Sequence, residues 1–191
     1  SKKTPPEILE ELLIHSESYE RESTQNRVDR SACWLRRQIL ENPKLSEITL
    51  QKYYNILTDP EFDKSSPDFS IHERFSVLRH PNLSRNIIDE NLDAIIEHDA
   101  CSDNRHYQQR EILRNPSLTE IDLKRVYKET LSYSLIKLIV EHKNCPLSIL
   151  TEELSTGTIR IRRAALRGLG KQGAQLIVKI QDKEVKVKFS I

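Results

Sequence analysis

The feature that most limits what this chain can fold into is a mark of punctuation that recurs in phase with its hydrophobic residues. Four segments carry a two-residue apolar step, one spacer, an Asn or His, and then a break. They are Ile39-Leu40-Glu41-Asn42-Pro43, Val77-Leu78-Arg79-His80-Pro81, Ile112-Leu113-Arg114-Asn115-Pro116 and Ile139-Val140-Glu141-His142-Lys143. An apolar or thiol residue follows each break (Leu45, Leu83, Leu118, Cys145), then Ser46, Ser84, Thr119 or Pro146. A second apolar series runs through Leu50, Ile88, Leu123 and Leu150. Proline cannot continue a helix and pushes its predecessor out of the α region, so Asn42, His80 and Asn115 are expected to end helices. The hydroxyls of Ser46, Ser84 and Thr119 can then accept the orphan N–H groups of a new helix. Each unit reads as helix, tight corner, helix, the hairpin from which α-solenoids are stacked.

Thr4-Pro5-Pro6-Glu7 matches the second half of the same unit, with a capping Thr, Pro in the first turn and Glu completing a capping box. The anchors Leu9, Leu50, Ile88, Leu123 and Leu150 lie 41, 38, 35 and 27 residues apart. Units are therefore expected near 1–15, 30–58, 71–98, 105–131 and 134–170, within a helical-repeat domain spanning 1–172. Residues 59–70 (DPEFDKSSPDFS) and 99–104 (DACSDN) read as loops between them. His80 and His142 share a repeat position with Asn42 and Asn115, and an Asn/His exchange at a helix end points to capping of freed backbone groups. Tyr53, Tyr54, Tyr107, Tyr127, Tyr133 and Trp34 are assigned to packing.

After Gly173 the apolar period changes to two: Leu176, Val178 and Ile180, then Val185, Val187, Phe189 and Ile191. This predicts a β-hairpin within 173–191, one face apolar and the other partly basic. A two-stranded ribbon is marginal alone, so it caps the last helical unit, pairs across a dimer or joins further strands. The fold class expected is mainly α, an α-solenoid of stacked helical hairpin repeats with a C-terminal β-hairpin.

The stretch 142–154 (HKNCPLSILTEEL) resembles the variant leucine-rich repeat, whose units run roughly His-Pro-Asn-Cys-Pro-x-x-x-Leu-x-x-Leu. The following 158–166 (TIRIRRAAL) is similar to that family's next step, an apolar-Arg pair leading into an Ala-rich helix. The resemblance implies α-helices paired with shorter, 3₁₀-like helices in a right-handed superhelix. One member of that family carries an iron–sulfur cluster on an N-terminal Cys cluster; the N-terminal region here offers only Cys33, so no such cofactor is expected. HEAT- or armadillo-like repeats are the near alternative, since their longer units suit spacings of 35–41.

Charged residues make up 31% of the chain and there are only 4 Gly, which argues against a turn-rich β-sandwich and for helices with solvated faces. No apolar run approaches the ~20 residues of a membrane span and nothing reads as a signal peptide, so no membrane partner is expected. Ser1 in place of an initiator Met points to a processed or partial chain. Cys33, Cys101 and Cys145 are odd in number and far apart, which suits free thiols in a reducing, cytoplasmic setting. The net charge of +1 conceals a split. Residues 1–154 hold 27 acidic against 21 basic side chains; residues 155–191 hold 9 basic against 2 acidic.

Sequence motifs for catalysis are missing: there is no Gly-rich phosphate loop, Gly-x-Ser-x-Gly elbow or His-Glu-x-x-His. His98, Cys101 and His106 lack a fourth zinc ligand nearby and read as a polar loop, so neither metal nor cofactor is expected. Glu7, Glu10, Glu11, Glu152 and Glu153 lie in helical runs and read as solvated faces, so no catalytic residue is assigned. Arg160, Arg163, Arg167 and Lys171, spaced 3, 4 and 4, share one helix face, with Ile161, Ala165, Leu166 and Leu169 as the opposing apolar stripe. Gly168 and Gly170 suit the exit from that helix. Arg162, Lys186 and Lys188 complete a candidate basic binding face. Such a face can track phosphates, dock an acidic protein, neutralise the chain's own acidic units or simply be solvated. The expectation is a non-enzymatic helical-repeat binding module with a protein partner; nucleic-acid binding through the basic helix and hairpin is the alternative.

Overall fold

In a computed structural model of the chain, the structure describes residues 5, 8, 11–13, 36–58, 67–97, 110–172, 175–180 and 183–188; for 67–71 and the last two spans it describes the backbone alone. The described chain is mainly helical. Residues 36–40 are helical, followed by α1 (Glu47–Thr58), α2 (Pro67–Leu78), α3 (Arg85–Glu97), a 3₁₀ helix η1 (Arg110–Arg114), α4 (Glu120–Glu129), α5 (Tyr133–Glu141), α6 (Leu147–Thr156) and α7 (Ile159–Lys171). Strands β1 (Gln175–Ile180) and β2 (Lys183–Lys188) pair antiparallel, with Gln175 opposite Lys188 and Ile180 opposite Lys183. Among the described residues, no helix is long and apolar enough to cross a membrane. The Thr4 capping box, Trp34, Tyr107 and the loop at 99–104 lie outside the described residues.

Each corner is built the same way. The N–H of Asn42, His80, Asn115 and His142 donates to the carbonyl three residues earlier, at Ile39, Val77, Ile112 and Ile139 (2.8–3.1 Å), which closes the preceding helix with a 3₁₀ turn. The side chain of the same residue accepts the N–H two residues on: Lys44 to Asn42 Oδ1 (3.0 Å), Asn82 to His80 Nδ1 (3.1 Å), Ser117 to Asn115 Oδ1 (2.8 Å) and Asn144 to His142 Nδ1 (3.1 Å). That common acceptor explains why Asn and His exchange at this position. At three of the four corners the new helix begins under a hydroxyl: Ser46 Oγ accepts from Thr49 N (3.2 Å), Ser84 Oγ from Ile87 N (3.5 Å), and Thr119 forms a full capping box with Asp122; at the fourth the N-cap is Pro146, with no side-chain cap.

The chain divides into two compact units, Ser1–Ala94 with Asp103–Ser117, and Ile95–Ser102 with Leu118–Ile191. Within the first unit each corner is tied to its predecessor. His80 Nε2 meets Asn42 O (2.8 Å), and Asn82 Nδ2 donates to Pro43 O and Leu45 O (2.9 Å each). Asn115 Nδ2 donates to Leu78 O (2.8 Å) and His80 O (2.9 Å). The second unit repeats the device: Asn144 Nδ2 donates to Leu118 O (2.7 Å), and Gln172 Nε2 to Cys145 O (2.7 Å) and Lys143 O (3.2 Å). Buried backbone carbonyls are obligatory acceptors, so these side chains stack corner on corner while satisfying groups that helix ends leave open. Around the corners lie the cores: Leu40, Leu45, Leu50, Leu57, Ile87 and Leu113 in the first unit, Leu118, Leu123, Leu135, Ile139 and Leu150 in the second.

Two expectations shift. The loop proposed for 59–70 overruns, because α2 starts at Pro67; proline is tolerated in a first helical turn, where its missing N–H has no partner to lose. The aromatics also divide: Tyr53 and Tyr54 are buried, Tyr127 is half-buried and Tyr133 is exposed.

Candidate functional site

α7 is capped by Thr158, whose Oγ1 accepts from Ile161 N (3.5 Å), and it buries Ile161, Ala164, Ala165, Gly168 and Leu169. Leu166, expected in the apolar stripe, is instead 40% exposed. Gly168 has a sharper role than helix exit, since α7 runs on to Lys171. A Cβ there would lie 2.3 Å from Val140 O and 2.9 Å from Leu150 Cδ2, so glycine is what lets α7 approach the backbone of α5.

The cations of the candidate basic face do not act as one row. Arg167 Nη2 donates to Glu141 Oε1 (2.8 Å) and Lys171 Nζ to Glu141 O (3.4 Å), which places both against the C-terminal end of α5. Arg162 reaches the carbonyls that α6 leaves open, Gly157 O from Nε (2.7 Å) and Ser155 O from Nη2 (3.0 Å). Arg160 and Arg163 are exposed and take no partner among the described residues. Lys186 and Lys188 stand on β2 opposite Ile177 and Gln175; their side chains, like His98, Cys101 and His106, lie outside the described residues.

A feature the sequence reading missed is an open groove of about 590 Å³ between α4, α5 and α6. Lys124 and Lys128 of α4 form one wall; Glu152 and Glu153 of α6 form the other. Ile136 and Ile149 line it together with Leu131, which is 91% exposed. Tyr127 Oη donates to Glu153 Oε1 (2.8 Å). Burial first, then that bond and the charges of Glu153 and Glu152, push the phenol well above its ordinary range, so Tyr127 stays a neutral donor. The run Glu152-Glu153, read as a solvated face, is thus divided: Glu152 is exposed and Glu153 is buried. The helical period does signal this, because Glu153 follows the buried pair Ile149 and Leu150 at i+4 and i+3.

Elsewhere among the described residues, the buried carboxylates of Glu73 and Glu111 are held in ion pairs. Glu73 Oε1 accepts from Arg36 Nε (2.7 Å) and its Oε2 from Tyr53 Oη (2.7 Å), in a pocket where Arg36 and Glu73 are both nearly sealed from solvent. Glu111 is held by Arg79 Nε (2.7 Å) and Arg114 Nε (3.2 Å). Cys145 is a buried thiol pushed up to about 12, by desolvation first and then by the charge of Glu120, so it stays protonated at neutral pH. No protein-family model, curated protein or solved structure matches this chain.

Proposed function

We propose that this chain is a non-enzymatic binding module, an α-solenoid of hairpin repeats in the manner of variant leucine-rich or HEAT-like proteins, whose partner is a protein. The observation that carries this reading is the groove of α4, α5 and α6, with opposite charges on its two walls and exposed Leu131 at its lip. Stacked hairpins offer such surfaces without needing any reacting group. An apolar anchor flanked by charges of both signs suits a peptide segment, whose side chains bring apolar and ionic groups together. The test is capture of partners from the native host by the full chain and by Leu131→Asp, with circular dichroism confirming that the fold survives. Partners held by the parent and released by the variant support the reading. Identical capture by both, or none by either, removes it.

The competing reading, phosphate binding by the basic helix, draws on Arg160 and Arg163, exposed and without partners among the described residues. Binding to mixed DNA and RNA would then weaken steeply with salt and fall on Arg163→Glu. A chain that binds neither at low salt is no phosphate tracker.

A further inference from the structure

α7 stacks on α5, and it carries a copy of the face on which it sits. The N-caps Ser132 and Thr158 align the two helices, and the alignment sets buried Leu135 against buried Ile161 and buried Ile139 against buried Ala165. In this register Tyr133, Lys137 and Val140 of α5 correspond to Ile159, Arg163 and Leu166 of α7. On α5 only the Val140 end of that stripe is covered: Val140 is fully buried, with its carbonyl oxygen 2.3 Å from where a Cβ on Gly168 would be, while Tyr133 and Lys137 are exposed. On α7 it is open. Ile159 is 68% exposed and Leu166 40% exposed, while Arg160 and Arg163 find no counter-charge among the described residues. Spacings of four and three put Ile159, Arg163 and Leu166 in one line along the helix.

The first unit holds a segment of opposite character. Residues 8 and 11–13 are helical, and Leu13 is buried. Ile8 and Leu12, one turn apart, are 47% and 39% exposed, with Glu11 exposed beside them and Glu7 and Glu10 adjacent in sequence. One open helical face is therefore apolar and acidic, the other apolar and basic. Each supplies what the other lacks: apolar surface to bury and a counter-charge at the point of burial.

We propose that the chain self-associates, the exposed side chains of Ile8, Glu11 and Leu12 in one copy docking on the Ile159–Arg163–Leu166 stripe of α7 in the next. The two patches are unlike, so the contact is heterologous: every copy added presents a fresh pair of faces, and assembly proceeds beyond a dimer or closes as a ring. Two short helix faces bury less than a standard interface, so the association is weak, on the order of micromolar, and sensitive to salt. A second copy is favoured over nucleic acid because a phosphate backbone gains nothing from covering Ile159 and Leu166.

Sedimentation of the full chain from about 1 to about 300 µM tests this. The expected result is a weight-average mass that climbs above 22.3 kDa with concentration and falls back in high salt. Arg163→Glu and Glu11→Lys, both at exposed positions, each move the rise to at least about tenfold higher concentration. The two reversals combined in one chain restore it, because the new Glu then meets the new Lys. A constant 22.3 kDa throughout, or a double variant no better than the singles, overturns the proposal. So does an Arg163→Glu chain that loses affinity for mixed RNA while its sedimentation is unchanged. Leu131→Asp keeps self-association, so failure of the groove reading and failure of this one are separately visible.

Discussion

Two residues seven positions before a corner histidine separate the halves of this molecule. In the first unit that residue is Glu73, ahead of His80; in the second it is Leu135, ahead of His142. Both are buried, and the corners they precede share the same backbone and side-chain hydrogen bonds. Around Glu73 the core is completed by long polar side chains, Arg36 and Tyr53, which reach across from neighbouring helices. Around Leu135 it is completed by close approach, with Ala164, Ala165 and Gly168 bringing α7 down onto α5. Repeat length accompanies the change: the hydrogen bonds joining Asn115 and His80 to the corner before span 35–38 residues, while those of Asn144 and Gln172 onto Leu118 and Cys145 span 26 and 27. One corner design therefore tolerates two ways of filling the space between helices.

The largest effect is expected from breaking the polar version. Glu73→Ala removes the buried carboxylate to which both the Arg36 guanidinium and the Tyr53 hydroxyl donate, a loss of about 3–5 kcal/mol. Hydrogen exchange on the full chain will show reduced protection throughout α1 and α2. The sharper form replaces the pair together, Arg36→Met with Glu73→Leu, making this position apolar as Leu135 makes it in the second unit. If the polar pair serves packing alone, the double variant recovers most of the lost stability. A double variant as unstable as Glu73→Ala shows that the ion pair contributes something the apolar core of the second unit does not need.

Next in size is Gly168→Ala, which attacks the close-packed version. The added methyl meets a backbone oxygen, which cannot rotate away, so α7 must lift from α5 at a cost of about 1–3 kcal/mol. On an ordinary solvent-facing helix position the same change is stabilising by about 1 kcal/mol, so the sign alone decides. Thermal or urea unfolding gives that sign. Exchange protection should drop in α5 and α7 and hold around Glu73.

What was legible in the sequence follows from this contrast. The corners were readable because their chemistry is local: a proline stop, an Asn or His, a hydroxyl three residues on, all within eight positions. The side-chain bonds between corners were not, since Asn82, Asn144 and Gln172 look like ordinary surface polar residues until the preceding carbonyls come within 2.7–3.2 Å. The Arg36–Glu73–Tyr53 cluster joins residues 20 and 37 positions apart, and no period connects them. The basic row on α7 was correctly placed on one helix, but helical spacing says nothing about neighbours, so the engagement of Arg167 and Lys171 by Glu141 stayed hidden. Gly168 was misread for a related reason: a glycine near a helix end is usually about exit, and only the position of Val140 O reveals otherwise.

The smallest effect is a pH dependence at the corner itself, and it tests whether Asn and His are truly equivalent there. A backbone N–H only donates, so the bond from Asn82 N makes His80 Nδ1 an acceptor and leaves the proton on Nε2, which donates to Asn42 O. Burial lowers the pKa of this ring from its ordinary 6.5, opposed in part by the bond to Asn42 O. A second proton would have to sit on Nδ1, against the Asn82 N–H. As pH falls below about 6.5 the unfolded chain takes up that proton before the folded chain does, so folding stability declines. The contribution is whole above the unfolded pKa and is lost as pH falls from there toward the depressed folded pKa. His80→Asn keeps one acceptor and one donor, as Asn115 does with Ser117 N, Leu78 O and His80 O, but carries no titrating group. Its stability relative to the parent should therefore improve as pH is lowered from 7 to 5, with the difference levelling off above about 7. A difference that stays flat across that range would mean that the ring is not the group being titrated, and that the corner gains nothing from the exchange beyond shape.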